Sequence, residues 1–216
     1  MRRKLVTPIV LVMVALLCIS SAWAQPRKSW KSWYGHIAGG YNSLSGDAGD
    51  VADDGLNING GATYWPEPWP LGLTLELGFN KSDITSEAAA AADATGGNAD
   101  IWSLTAGAVW SPDTDGKVGF QLSGGIGGYH LDADLTELGL FVGPVCSPWF
   151  WWCAPGIGVG DVIVGSVSTT KFGWNGGIGI TFELESDSVI YLEAKYHSVG
   201  TKVSTEYIPI VIGYRW

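Results

Sequence analysis

Apolar residues rarely run together in this chain; they alternate with small or polar ones. The last eleven residues show it most clearly. Ile208, Ile210, Ile212, Tyr214 and Trp216 fall on one face of an extended strand, and Tyr207, Pro209, Val211, Gly213 and Arg215 on the other, because strand side chains alternate with a period of two. Residues 71–81 repeat the pattern, with Leu71, Leu73, Leu75, Leu77 and Phe79 opposed to Gly72, Thr74, Glu76, Gly78 and Asn80. Residues 33–44, 55–65, 99–111, 117–129, 171–183 and 188–199 do the same, which predicts eight strands. Each is about the ten residues that a tilted strand needs to cross a bilayer.

The connections are asymmetric. Residues 66–70, 112–116 and 185–187 are tight and rich in turn formers, whereas 44–54, 82–98 and above all 130–170 are long. Short turns at one end and long loops at the other are the pattern of a membrane barrel. The apolar faces put Trp33, Tyr64, Trp110, Phe182, Tyr214 and Trp216 at the turn end, and Tyr41, Phe79, Trp102, Phe172, Trp174 and Tyr196 at the loop end. Two aromatic belts result. The expected fold is all-β, an eight-stranded antiparallel transmembrane β-barrel with short periplasmic turns and longer extracellular loops. Stretches 135–142 and 156–167 also look like strand, either as a hairpin above the membrane or as two further spans of a ten-stranded barrel.

Composition agrees. The chain is 46% hydrophobic and only 15% charged, with 12 Trp and 31 Gly, yet no apolar run of about twenty residues follows residue 24, which excludes helical spans. A net charge of −9 argues against nucleic acid as a partner. At the other end, Arg2, Arg3 and Lys4 precede the apolar run 9–19 and then Ala22-Trp23-Ala24, the layout of a cleaved secretory signal. Residues 1–24 are expected to be that signal and 25–216 the barrel domain. Leu17, before Cys18, is not the small residue that a lipoprotein cleavage site needs.

With its strand count, loop asymmetry and terminal Tyr-Ile-Pro-Ile-Val-Ile-Gly-Tyr-Arg-Trp, the mature chain resembles the small bacterial outer-membrane β-barrel superfamily of OmpA-type membrane domains, OmpX and OmpW-like proteins. The resemblance implies the bacterial outer membrane as location and outer-membrane lipid and lipopolysaccharide as surroundings. It implies a monomer without cofactors, and a barrel-assembly machinery that reads Tyr214 and Trp216. Function is less constrained, since one fold hosts many functions.

Three further groups of residues are candidate sites. His36, Glu76, Gln121, Glu193, Lys195 and Arg215 point inward, beside Asn57, Asn59 and Asn175. An eight-stranded interior is just wide enough for side chains to fill, so these form either a sealed core of paired charges or a narrow polar path. Inward glycines such as Gly40, Gly61, Gly107 and Gly213 leave room for water; Tyr34, Trp65, Tyr129, Tyr191 and Tyr207 are bulky enough to fill it. In the longest loop, Cys146 and Cys153 are the only cysteines after the signal and are expected to form a disulfide. Between them Trp149, Phe150, Trp151 and Trp152 form a candidate contact surface at a loop tip.

Catalysis finds little support. His197 and Ser198 are adjacent and so point to opposite faces, and His130 has Asp132 on its face but no evident serine partner. The acidic loop residues Asp47, Asp50, Asp53 and Asp54 lack the spacing of a calcium loop, and no metal site is expected. Residues 88–94 have the composition of a short helical turn. The function expected is a non-catalytic structural or interaction role at the cell envelope. The alternatives are a channel for small solutes or hydrophobic molecules and, more remotely, a lipid A-modifying enzyme.

Overall fold

The computed structural model describes residues 32–66, 69–112, 116–147, 152–184, 188–200 and 205–216, without the side chains of 47, 140–147 and 152–161. The expected signal 1–24, the aromatic residues Trp149, Phe150 and Trp151, and the side chains of Trp152, Cys146 and Cys153 therefore lie outside the described part.

Eight strands form: β1 (Trp33–Ser45), β2 (Gly55–Tyr64), β3 (Leu71–Asp83), β4 (Gly96–Trp110), β5 (Val118–Ser147), β6 (Trp152–Glu183), β7 (Val189–Val199) and β8 (Thr205–Arg215). Each pairs antiparallel with its sequence neighbour, and β8 returns to β1, so the sheet closes. Closure removes the exposed edges that an open sheet would present. A ten-stranded barrel is thereby corrected: stretches 135–142 and 156–167 continue β5 and β6.

Burial is inverted relative to a water-soluble protein. Outward Ile37, Leu56, Leu73, Leu104, Ile178 and Ile212 are exposed, while Asn42, Asn57, Thr63, Gln121, Glu193 and Arg215 are buried. That inversion is what a wall against hydrocarbon around a polar interior requires. Aromatic rings mark both ends of the wall. Trp33 meets Tyr64 at 5.0 Å and Tyr214 stacks on Trp216 at the turn end; Phe79 meets Trp102 at 4.6 Å and Trp174 meets Tyr196 at the loop end.

Closure is completed by the terminal residue. Trp216 exchanges two backbone hydrogen bonds with Gly35, at 3.1 and 3.0 Å, and its ring lies where a Cβ on Gly35 would stand, 2.8 Å away. Any larger residue at position 35 displaces that ring. The β7–β8 ladder skips Pro209, which has no amide hydrogen to donate.

β5 and β6 are the exception in length, at 30 and 32 residues. β4 accompanies β5 only as far as Thr136, and β7 accompanies β6 only from Gly173 onward. Beyond those points the two strands pair with each other alone, as far as Ser147 opposite Trp152, and form a two-stranded arm beyond the barrel rim. A bulge where Leu135 and Thr136 meet Gly165 and Ile163 sets Val164 out of register at the base of the arm and bends and twists the ribbon there. Within the second long connection, Ser86–Ala91 form the short helix α1. The Ala88 amide donates to Oγ1 of Thr85 at 3.3 Å, an N-cap on an alanine-rich turn.

Candidate functional site: a filled lumen and an apolar vestibule

The lumen is filled in layers, because inward residues at one height on different strands meet across a narrow barrel. At the turn end, Tyr34 packs edge-on against Trp65 at 5.4 Å, with Val109 beside them. Arg215 lies over Trp65 at 5.0 Å and over Tyr191 at 5.3 Å, and its guanidinium donates to Gln121 Oε1 at 2.9 Å.

The next layer holds the charges. Lys195 Nζ donates to both carboxylate oxygens of Glu76 at 2.9 Å. Glu193 is 3.7 Å from the same ammonium and accepts from Ser123 Oγ at 2.5 Å. Nε2 of His36 lies 3.4 Å from Glu76. All six inward residues singled out in the sequence border one small cavity of about 20 Å³, which has room for a single water. The charges are thus paired and hydrogen-bonded, as burial demands.

Above them Asn57 donates to Asn80 at 2.7 Å and Asn59 to Asn57 at 3.0 Å. His197 stacks on Tyr207 at 4.4 Å, and its Nδ1 is 3.0 Å from the Tyr129 hydroxyl. Tyr129 and Tyr207 are completely buried and pack with Ile101 and Val199. The expectation that inward glycines leave room for water is corrected here. A Cβ on Gly213 would stand 2.2 Å from the Tyr191 ring, one on Gly72 2.6 Å from Trp65, and one on Gly173 2.8 Å from Tyr129. These three glycines are recesses into which aromatic rings fit, whereas at Gly40, Gly61 and Gly107 a Cβ would stand 2.0, 2.1 and 2.2 Å from a backbone carbonyl oxygen of a neighbouring strand.

Over this seal the barrel mouth opens into a cavity of about 630 Å³, walled by Leu44, Val51, Ile101, Leu131, Val167 and Lys171, with smaller residues between. Sequence reasoning missed it. Its lining comes from six strands and the first connection, and no single strand carries a distinctive signal. Beside it, outside the barrel wall, the Tyr41 hydroxyl donates to Asp54, which also accepts from the Leu44 amide at 3.2 Å. The Tyr41 bond holds the Asp54 carboxyl below its ordinary pKa, and it ties the first connection to β1.

His130 acquires neighbours that the sequence did not reveal. On the outer face its Nδ1 is 2.8 Å from Thr170 Oγ1, while Nε2 faces Asp132 at 3.2 Å and Ser168 at 3.4 Å. Ser168 and Asp132 share one nitrogen, so no serine–histidine–acid relay passes through the ring. Thr170 and Asp132 do occupy opposite nitrogens, but the patch lies open on the outer face, and of its members only Asp132 borders the cavity at the barrel mouth. Among the described residues no group of His, Cys, Asp and Glu is placed to hold a metal ion.

Neisserial surface protein A, NspA, has a similar structure: TM-score 0.58, 14% identity, 87% of this chain and 98% of that one covered. Ail, the attachment invasion locus protein of Yersinia pestis, superposes at TM-score 0.47 with 17% identity, covering 86% of this chain and all of the other. At 14% identity the likeness to NspA is one of fold. No curated protein matches the chain. Residues 10–215 match the family of the outer membrane protein beta-barrel domain; together with the closed, inverted eight-stranded barrel, this places the chain in that family.

Proposed function

We propose that the protein is a non-conducting, non-catalytic barrel of the bacterial outer membrane that acts by contact, presenting the β5–β6 arm beyond the membrane. The observation that carries this reading is the sealed lumen beneath a long arm. The space described among the lumen charges is about 20 Å³, while the arm carries exposed Leu138, Val162 and Ile163 and strand edges that no described residue pairs. Unpaired edges and apolar side chains are the means by which extended segments add to a sheet. In this reading the Trp-rich tip between Cys146 and Cys153 is the far end of the contact surface, the barrel is a monomer set in lipid and lipopolysaccharide, and Tyr214 and Trp216 serve its assembly.

The test is conductance of the refolded protein in a planar bilayer, with folding verified by a heat-dependent gel shift. A silent bilayer is expected. Reproducible discrete steps, altered by Glu193→Gln, would put transport through the lumen in place of contact.

A further inference from the structure

The cavity at the barrel mouth has a composition that the contact role does not use. Its volume of about 630 Å³ lies within the roughly 300–1,000 Å³ typical of small-ligand sites. Its wall is apolar and continuous with the buried cluster of Ile101, Tyr129, Val199 and Tyr207, against which Leu44 and Leu131 pack. Water gains little against such a wall.

Among the described residues, one charged side chain points into it. Lys171 shares the inward face of β6 with Gly173 and Asn175, stands opposite Tyr129, and makes no ion pair among the described residues. Asp100 and Asp132 also border the cavity, but strand alternation turns their side chains to the outer face, where Asp132 meets His130. Among the described residues the wall therefore offers apolar surface and a single cation.

We infer that the vestibule binds a free amphipathic anion from outside the cell, with one acyl chain or similar apolar body and a carboxylate that meets Lys171. The carboxylate meets the exposed Lys171, which stands opposite Tyr129, and the apolar body lies against Leu44, Ile101 and Leu131. The seal below makes this a binding site with one mouth, which the ligand enters and leaves from the same side. The site stands whether or not the arm meets a partner, since it is built from the barrel wall and not from the arm's tip.

The experiment uses the full mature protein in nanodiscs and a twelve-carbon carboxylic acid bearing a terminal diazirine. After photolysis, labelled positions are read by mass spectrometry. Labels are expected on Leu44, Ile101 or Leu131. Unlabelled dodecanoate should compete about tenfold better than dodecanol or dodecyltrimethylammonium, the size expected for one hydrogen bond to a charged group. Lys171→Glu should weaken labelling by about tenfold while Lys171→Arg retains it, and Ala133→Trp, which fills the cavity, should abolish it. Lys171 is exposed, so its variants should fold, and the gel shift verifies this. Labels confined to the outward belt, equal competition by dodecanol, or undiminished labelling of Lys171→Glu would overturn the proposal. Labelling of Ile101 and Leu131 by a phospholipid with the same diazirine, without added free acid, would overturn the assignment to a free ligand.

Discussion

Lys195 on β7 holds both oxygens of Glu76 on β3, 119 residues away in sequence, and so spans the lumen at the height of the membrane. Glu193 and His36 complete the cluster. Removing one partner leaves the other charge buried with incomplete compensation, which costs about 3–5 kcal/mol, whereas replacing a whole pair with apolar groups of similar size is often neutral. Glu76→Gln and Lys195→Met are each expected to destabilise the barrel strongly, and the double variant by less than the sum. Urea unfolding in lipid vesicles measures all three. Additive losses would show that the pair is not coupled.

The Tyr191 ring lies in the recess left by Gly213, whose added Cβ would fall 2.2 Å from it. Gly213→Ala therefore forces the ring out and should cost about 1–3 kcal/mol, the usual scale of overpacking. Tyr191→Leu in the same chain should recover part of that loss, because the smaller side chain gives way. If the second substitution only adds to the damage, the ring and the recess do not act as one unit.

How much of this was legible in the sequence depends on the kind of information required. Period two gave the faces, so His36, Glu76, Gln121, Glu193, Lys195 and Arg215 could be assigned to the interior before their neighbours were known. It did not give partners. Glu193 is two residues from Lys195 on the same strand, yet the two-oxygen grip goes to Glu76 across the barrel, a consequence of strand tilt and stagger. The same limit hid Thr170 and Ser168 from His130, since their meeting depends on how far β5 and β6 stay paired. That length was obscured by Pro144, Pro155 and the bulge near Leu135, each of which interrupts alternation. The vestibule was illegible for a further reason: Leu44, Ile101 and Leu131 each look like an ordinary inward residue, and only their common height makes a cavity.

The His130 patch gives the non-catalytic reading a direct test. Thr170 and Asp132 contact opposite ring nitrogens, the minimum that an acyl-transfer mechanism through a hydroxyl would require. His130→Ala and Thr170→Ala are expected to leave the lipid A acylation pattern of cells producing the protein unchanged, as read by mass spectrometry. A pattern that depends on wild-type protein and reverts in either variant would make the barrel an enzyme.

The arm offers the last prediction. Cys146 stands directly opposite Cys153 in the β5–β6 register, and opposed residues of an antiparallel pair have Cα atoms about 4.5–5.5 Å apart, within the roughly 4.4–6.8 Å that a disulfide spans. We therefore expect a bridge in protein recovered from an oxidising compartment, found as a crosslinked peptide in unreduced digests. The loop it closes is short, so its entropic effect on the unfolded chain is small. The arm's paired strands are also separate from the ladders that close the barrel. Cys146→Ser should thus leave the barrel's thermal unfolding within a few degrees of wild type and raise protease cleavage of the arm. A large fall in barrel stability would mean that the arm is part of the fold's cooperative unit. Free thiols in oxidised protein would mean that the opposed register alone does not produce the bridge.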